Sequence, residues 1–271
     1  AEPPKNWTKL IDTAPTFFER DENQNIRRTS VALGEFNNVD HAKDIFALLL
    51  LQSGNPIIQW GQDKRPQVLL NEPRVGGLES ASLVLNFFTQ FSDPAKTSYS
   101  WNSAMPRSRD FFATGASAFY LGYASEHSLI KAKNPHLNFD VTLVPQRYEV
   151  KKLTHGRLYG VAIPISAADP NSALAVARAL ALDTNFVRNL STSLNLAPVR
   201  LDLLNAPPTT DALAPTFYKA AVMSATWVDP NPAGTTAIFN DALTRIKTGQ
   251  TDLRDAVTRA AGELNNLLVA N

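Results

Sequence analysis

The chain has 271 residues, with 26 Lys plus Arg against 25 Asp plus Glu, 44% hydrophobic residues, 18 Pro, 12 Gly and no Cys. A chain of this length buries roughly 70–75% of its extended surface, enough for one large or two medium cores. A net charge of +1 with no block of like charges gives no field to gather a polyanion, so nucleic acid is not an expected partner. The absence of Cys excludes disulfides, thiolate nucleophiles, Fe–S clusters and Cys-ligated zinc.

The segment Pro3-Pro4-Lys5-Asn6-Trp7 has no basic start followed by an apolar stretch, so no signal peptide is expected within this chain. Trp7, Leu10 and Ile11 predict a short helix, and Asp21, Asn23 and Asn25 a solvated turn rather than a calcium loop, because the glycine and bidentate Glu of such a loop are missing. Residues 26–33 read as a strand. An Asn of 34–38 is then placed to cap a helix over 39–51, whose aliphatic run of about seven residues is far short of the twenty that span a membrane. Gly54 follows as a stop, and residues 54–77 read as a loop. Val84, Phe87, Phe88 and Phe91 share one face of a second helix that Asp93-Pro94 ends.

Downstream the chain alternates helix and strand: a helix over 108–113, a break at Gly115, a strand over 116–121, a helix over 126–133, and strands over 141–144 and 160–165. Asp169-Pro170 is a cap with proline at the first helical position, opening a helix to 182. Two amphipathic helices close the chain, one carrying Ile238, Phe239, Ala242, Leu243 and Ile246, the other Leu253, Val257, Ala260, Leu264 and Leu268, with Gly249 between them. The pattern is that of an α/β protein. It contains no internal repeat.

No nucleophile elbow, phosphate loop, dinucleotide fingerprint or His-Glu-x-x-His is present. The four histidines, at 41, 127, 136 and 155, have no second ligand at metal-binding spacing, so neither a metal nor another cofactor is expected. Glu35 and Glu126 stand at loop-to-helix junctions and could form the carboxyl pair of a glycosidase. Both equally suit the structural role of complementing a helix dipole. Aromatic and amide-rich loops lie at the same junctions: Phe36-Asn37-Asn38, Trp101-Asn102, Tyr123-Ala124-Ser125 and Trp227. Flat rings cover the apolar face of a pyranose while amides and carboxylates satisfy its hydroxyls. For any single Trp, core packing competes with this reading; Trp60, without polar neighbours, is assigned to packing.

The order of motifs resembles the extracellular solute-binding proteins of ABC importers, in the class of the maltose-binding proteins. Pro3-Pro4-Lys5-Asn6-Trp7 is similar to the family's Pro-Pro-Lys-Thr-Trp, and residues 112–119 to its Phe-x-x-Gly-x-x-Ala-Met. The most specific match is Asn134-Pro135-His136-Leu137-Asn138-Phe139 with Leu143-Val144-Pro145, which resembles an "NPDLNFGVAPLP" segment. Ala168-Asp169-Pro170-Asn171-Ser172 and Leu196-Ala197-Pro198-Val199-Arg200 recur in the family's order. The resemblance implies a periplasmic-binding-protein type II-like fold, α/β, mostly the second (C-terminal) lobe, formed by residues 1–157 and 205–271, with 158–204 as the hinge crossing and a remnant of a first lobe whose opening part is absent. It implies a non-enzymatic protein that binds a mono- or oligosaccharide, a membrane ABC permease as partner, and a periplasmic or extracellular location with lipid anchorage through a missing N-terminus. Its ligand wall would comprise Glu35, Phe36, Asn37, Asn38, Trp101, Asn102, Gly122, Tyr123, Ala124 and Ser125, with Tyr159 and Trp227 as looser additions. Tyr123-Ala124 stands where sugar binders of the family often carry Trp. The rival readings are a carbohydrate-active enzyme using Glu35 and Glu126, and a standalone interaction module reusing one lobe.

Overall fold

The computed structural model describes residues 2–72, 80–148, 151–194 and 196–269. Asn6 opens α1 (Trp7–Thr13) by accepting the Lys9 amide at 2.8 Å. Strand β1 (Glu19–Arg20) turns into β2 (Ile26–Val31) around Asp21, whose carboxylate accepts the Asn23 and Asn25 amides at 2.9 Å. Helix α2 (Ala42–Gln52) follows, its first residue preceded not by a capping Asn but by His41 at φ 59°, with no side-chain cap. The predicted loop after Gly54 contains a hairpin, β3 (Ile58–Trp60) and β4 (Pro66–Val68), on which Trp60 is exposed rather than packed. The rest of that predicted loop, residues 73–77, lies outside the described residues.

Helix α3 (Ser80–Thr89), helix α4 (Ser108–Ala113), strand β5 (Ser117–Phe119) and helix α5 (His127–Lys133) come where the apolar periodicity puts them. Strand β6 (Thr154–His155), helices α6 (Pro170–Leu182), α7 (Thr184–Leu194), α8 (Leu201–Leu204) and α9 (Ala214–Val222), and strand β7 (Ser224–Ala225) precede the closing pair α10 (Pro232–Lys247) and α11 (Leu253–Val269). Asp169 caps α6 by accepting the Asn171 and Ser172 amides, and Gly249, at φ 68°, makes the turn between α10 and α11.

The central sheet runs β1-β2-β5, antiparallel then parallel, with Thr29 opposite Ser117 and Val31 opposite Phe119. Strands β6 and β7 form a separate parallel pair. Two predicted strands are not realised: among the described residues, 141–144 and 160–165 join no sheet. Their sequence has strand character, yet a strand exists only where a neighbour supplies its hydrogen bonds.

The core lies between β2, α2, α3 and the α10–α11 pair. Phe46 of α2 packs against Phe88 and Phe239 with ring centroids 5.8 and 5.2 Å apart, and Trp227 reaches Phe239 at 6.0 Å. Gly34 (φ 87°) lets the chain pass close to Ser92, where a Cβ would lie 2.7 Å from the Ser92 amide nitrogen. Residues 158–204 behave differently. Helix α6 buries none of its residues, and Leu158, Ile165, Val176, Leu182 and Leu194 stand exposed.

Because the cost of truncating a side chain follows its burial, Phe88→Ala is expected to lower unfolding free energy by about 3–5 kcal/mol, whereas Leu190→Ala changes it by less than about 0.5 kcal/mol. Urea titrations of the two variants beside the parent check this contrast.

Candidate functional site

The residues expected at the ligand wall separate into two groups in space. Trp101 is fully enclosed (0% exposed), its ring edge-on to Phe111 at 5.4 Å, so it has no open face for stacking. Its indole N–H donates to Asn38 Oδ1 at 3.0 Å, while Asn38 Nδ2 donates to the carbonyls of Asn102 and Met105, each at 2.8 Å. Asn102 in turn donates to the Tyr99 hydroxyl at 2.8 Å. Phe36 packs on Phe46 and Phe88, and Trp227 is buried. Glu35 is buried and ion-paired with Lys247 of α10. These side chains fasten loops to the core; of the 35–38 loop, Asn37 alone is exposed.

The second group sits on the loop after β5. Tyr123 opens a short 3-10 turn over Ala124–Glu126, and its backbone amide donates to Glu126 Oε2 at 2.9 Å. Gly122 and Ser125 are exposed, and Ala124 is half-buried. The Tyr123 hydroxyl donates to Asp44 Oδ2 at 2.8 Å and lies 3.0 Å from His155 Nδ1 on β6. Arg157 donates to the same Asp44 oxygen at 2.6 Å, and its guanidinium lies over the Tyr123 ring, 4.9 Å from the centroid. On the other side His41 meets the ring edge-on at 4.8 Å and places Nε2 2.9 Å from Glu126 Oε2. Arg109 and the Tyr120 hydroxyl complete the Glu126 shell at 3.1 and 3.0 Å. Tyr159, two residues past Arg157, is 85% exposed.

His41, Asp44, His155 and Arg157 were not singled out for this site by sequence reasoning. Their partners are up to 113 positions away, and no spacing rule links them. Only the structure marks His41, a non-glycine residue in the left-handed region, as are Gln24, Ile57 and Lys64 away from the cluster.

Burial raises the Asp44 pKa, but the Tyr123 hydroxyl and the Arg157 guanidinium outweigh it and hold the carboxyl below its usual value. For Glu126 burial likewise acts upward and is overcome by hydrogen bonds from His41 and the Tyr123 amide. Both are therefore carboxylates at neutral pH. Burial, followed by the neighbouring Asp44 charge, raises the Tyr123 phenol. His155 is pushed down by burial despite the Asp44 carboxylate. Because the one Tyr123 hydroxyl proton goes to Asp44, His155 Nδ1 must be the donor to that oxygen. Its Nε2 is then an acceptor, buried and, among the described residues, without a hydrogen-bond partner. Among the described residues no three His, Asp or Glu converge to hold a metal ion.

No family model matches the sequence, and no curated protein matches it. Solved structures do. A cyclo/maltodextrin-binding protein complexed with maltotetraose superposes with a TM-score of 0.72 at 15% identity, covering 98% of this chain and 65% of its own. An ABC transporter solute-binding protein from Thermotoga lettingae, bound with alpha-D-tagatose, gives 0.66 at 17%, covering 98% and 65%. The maltose/maltodextrin-binding domain from Bdellovibrio bacteriovorus, bound to maltotriose, gives 0.66 at 14%, covering 98% and 67%. The chain thus has the periplasmic-binding-protein type II-like fold and spans about two thirds of the length of these structures.

The buried, neutral His155 sets a pH dependence. Its folded pKa lies below the ordinary 6.5, so the unfolded chain takes up the proton first, and the stability it contributes is complete above about pH 6.5 and lost as pH falls toward the folded value. The lowered pKa values of Asp44 and Glu126 add a separate loss at more acidic pH, below their ordinary 3.8 and 4.5. Melting temperatures measured from pH 7.5 to 5 should fall for the parent and fall less steeply for His155→Asn.

Proposed function

We propose that this chain forms the second lobe and hinge of a solute-binding protein that captures a carbohydrate for ABC-type import. Residues 1–157 and 205–271 make the lobe, and 158–204 an excursion that packs on the rest of a first lobe. The observation that carries this reading is the polar cluster of the 122–125 loop, Asp44, His155 and Arg157. It lies where β6 leaves the lobe, in a fold whose solved examples hold maltotetraose, tagatose and maltotriose. Two lobes closing on a solute need such a wall beside the crossing strands. The permease partner and a periplasmic or extracellular location follow from the same reading.

The wall differs from the one expected. With Arg157 over one face of Tyr123 and His41 at its edge, recognition here rests on charged donors and acceptors. Arg157 keeps half its side chain exposed, and charge-assisted bonds to hydroxyls are among the stronger polar contacts. Gly122, Ala124, Ser125 and Asn37 add backbone and small polar groups at the rim. Tyr159, beside the hinge, is a looser member of the same wall and stands exposed.

The solved neighbours are binding proteins, and the site favours the same role here. A glycosidase requires a carboxylic acid with a raised pKa facing a second carboxylate. Glu126 is instead held ionised, and Glu35 is spent on Lys247. A self-sufficient interaction module would not leave the apolar side chains of 158–204 in water.

The test is saturation-transfer NMR on the 271-residue chain with millimolar maltotriose, tagatose and ribose. Transfer to at least one sugar is expected. Arg157→Ala should weaken it at least tenfold, about 1.4 kcal/mol, while Trp101→Phe, at a buried position, should change it less than twofold. Absence of transfer from all three sugars overturns the reading.

A further inference from the structure

Ion pairs crowd together at the start of α2. Asp40 and Asp44 stand on either side of His41, and Glu126 reaches His41 from the loop after β5. Each of these carboxylates holds an arginine. Asp40 takes Arg107 through Nε at 3.1 Å, Glu126 takes Arg109 at 3.1 Å and Asp44 takes Arg157 at 2.6 Å. Neutral donors serve the same carboxylates: the Ser108 hydroxyl and Arg109 amide on Asp40, the Tyr120 hydroxyl and Tyr123 amide on Glu126, the Tyr123 hydroxyl on Asp44.

Burial then separates the pairs by sign. The side chains of Asp40, Glu126 and Asp44 are 5, 6 and 12% exposed, while those of Arg107, Arg109 and Arg157 are 60, 38 and 53% exposed. The negative charge lies underneath and the positive charge faces water. With a net charge of only +1 on the whole chain, this is a local layering and not a general field. Other charged groups on the segments meeting here leave it intact. Glu35 is buried against Lys247, Asp229 is held by Lys43, and Asp110 of α4 is paired with Lys133. The 122–125 loop has no charged side chain.

A guanidinium presents five N–H donors in a rigid planar fork, more than one carboxylate can use. That fork matches a second carboxylate in charge and in geometry, whereas a hydroxyl accepts a single N–H and brings no charge. We propose that the solute of this wall is an acidic carbohydrate, whose ring carboxylates are received by the guanidinium groups of Arg107, Arg109 and Arg157. The inference rests on the carbohydrate reading above and narrows it to one class of sugar.

The test compares each acid with its own neutral ester. Trisaccharides of galacturonate, glucuronate and mannuronate, and the methyl ester of each, are titrated into the 271-residue chain by calorimetry. At least one acid should bind at least tenfold more tightly than its ester in about 20 mM salt. Raising salt to about 0.5 M should cut that ratio at least threefold, because screening shortens the reach of the exposed charges. Arg107→Gln and Arg109→Gln, which remove a charge and keep a donor, should each cut it at least threefold. The acid-to-ester ratio of the parent decides the matter even where a variant folds poorly.

Equal or tighter binding of the esters overturns the inference and leaves the carbohydrate reading standing. So does binding of maltotriose, tagatose or ribose with no binding of any acid. A ratio unmoved by salt and by both substitutions overturns the role of the arginines. Tighter binding of galactose 6-phosphate than of galacturonate would move the charge to a phosphate and overturn the carboxylate assignment. Silence from every sugar, acid and neutral, is instead the failure of the carbohydrate reading, and this inference falls with it.

Discussion

Helix α2 is buried along almost its whole length, with Ala42, Ile45, Phe46, Ala47, Leu48, Leu49 and Leu50 all enclosed. A helix with so little solvent-facing surface cannot leave polar side chains to water, and each must find a partner inside. Lys43 donates to Asp229, and the other two polar residues tie down distant segments. Asp44, near the start, takes Tyr123 and Arg157, while Gln52, at the end, accepts the Trp7 indole N–H and donates to the carbonyls of Pro145 and Leu153. The packing of one helix therefore fixes α1, the end of the 137–145 segment, the loop after β5 and the strand leaving the lobe.

The distances along the two elements agree with that arrangement. Asp44 and Gln52 are about 12 Å apart along a helix rising 1.5 Å per residue, and Leu153 to Arg157 in extended chain covers about 13 Å. Residues 153–157 thus lie along α2 and are fastened near each of its ends. The polar cluster proposed as the solute wall is the upper fastening. Its ionised carboxylates and neutral histidine follow from burial and hydrogen bonding around one helix terminus.

The helices and strand read most surely from the sequence were those with a continuous apolar stripe and clear punctuation. The Val84, Phe88 face of α3, the α10–α11 pair around Gly249, and β5 after Gly115 are examples. The β3–β4 hairpin escaped because its strands are short and set in a charged loop, where residue type alone does not distinguish pairing from a turn. Residues 141–144 and 160–165 have the composition of strands but no neighbour, since pairing is a property of two segments and pattern a property of one. The site was partly legible. The loop 122–125 stood out through its position after a strand, and the structure brings it to Asp44, His155 and Arg157, whereas Trp101, Asn38 and Trp227 have the residue types of a binding surface but are buried as internal struts. Nothing in a linear reading separates a buried Trp–Asn hydrogen bond from an exposed one. His41, Asp44, His155 and Arg157 come together only through the tertiary path of the chain.

The two fastenings along α2 also decide where this molecule can bend. A strap tied at both ends of a rigid rod has no freedom between its ties, so any rotation of what lies beyond must begin after the second one. Past Arg157 the side chains of Leu158 and Tyr159 are exposed, and a Cβ added at Gly160 would meet nothing within 4 Å. In the two-lobe reading proposed above, the fulcrum falls at 158–160, immediately outside the polar cluster. In that reading a torque applied there would load the Arg157–Asp44 bond before any apolar contact of the core, making that ion pair the bearing on which the lever turns.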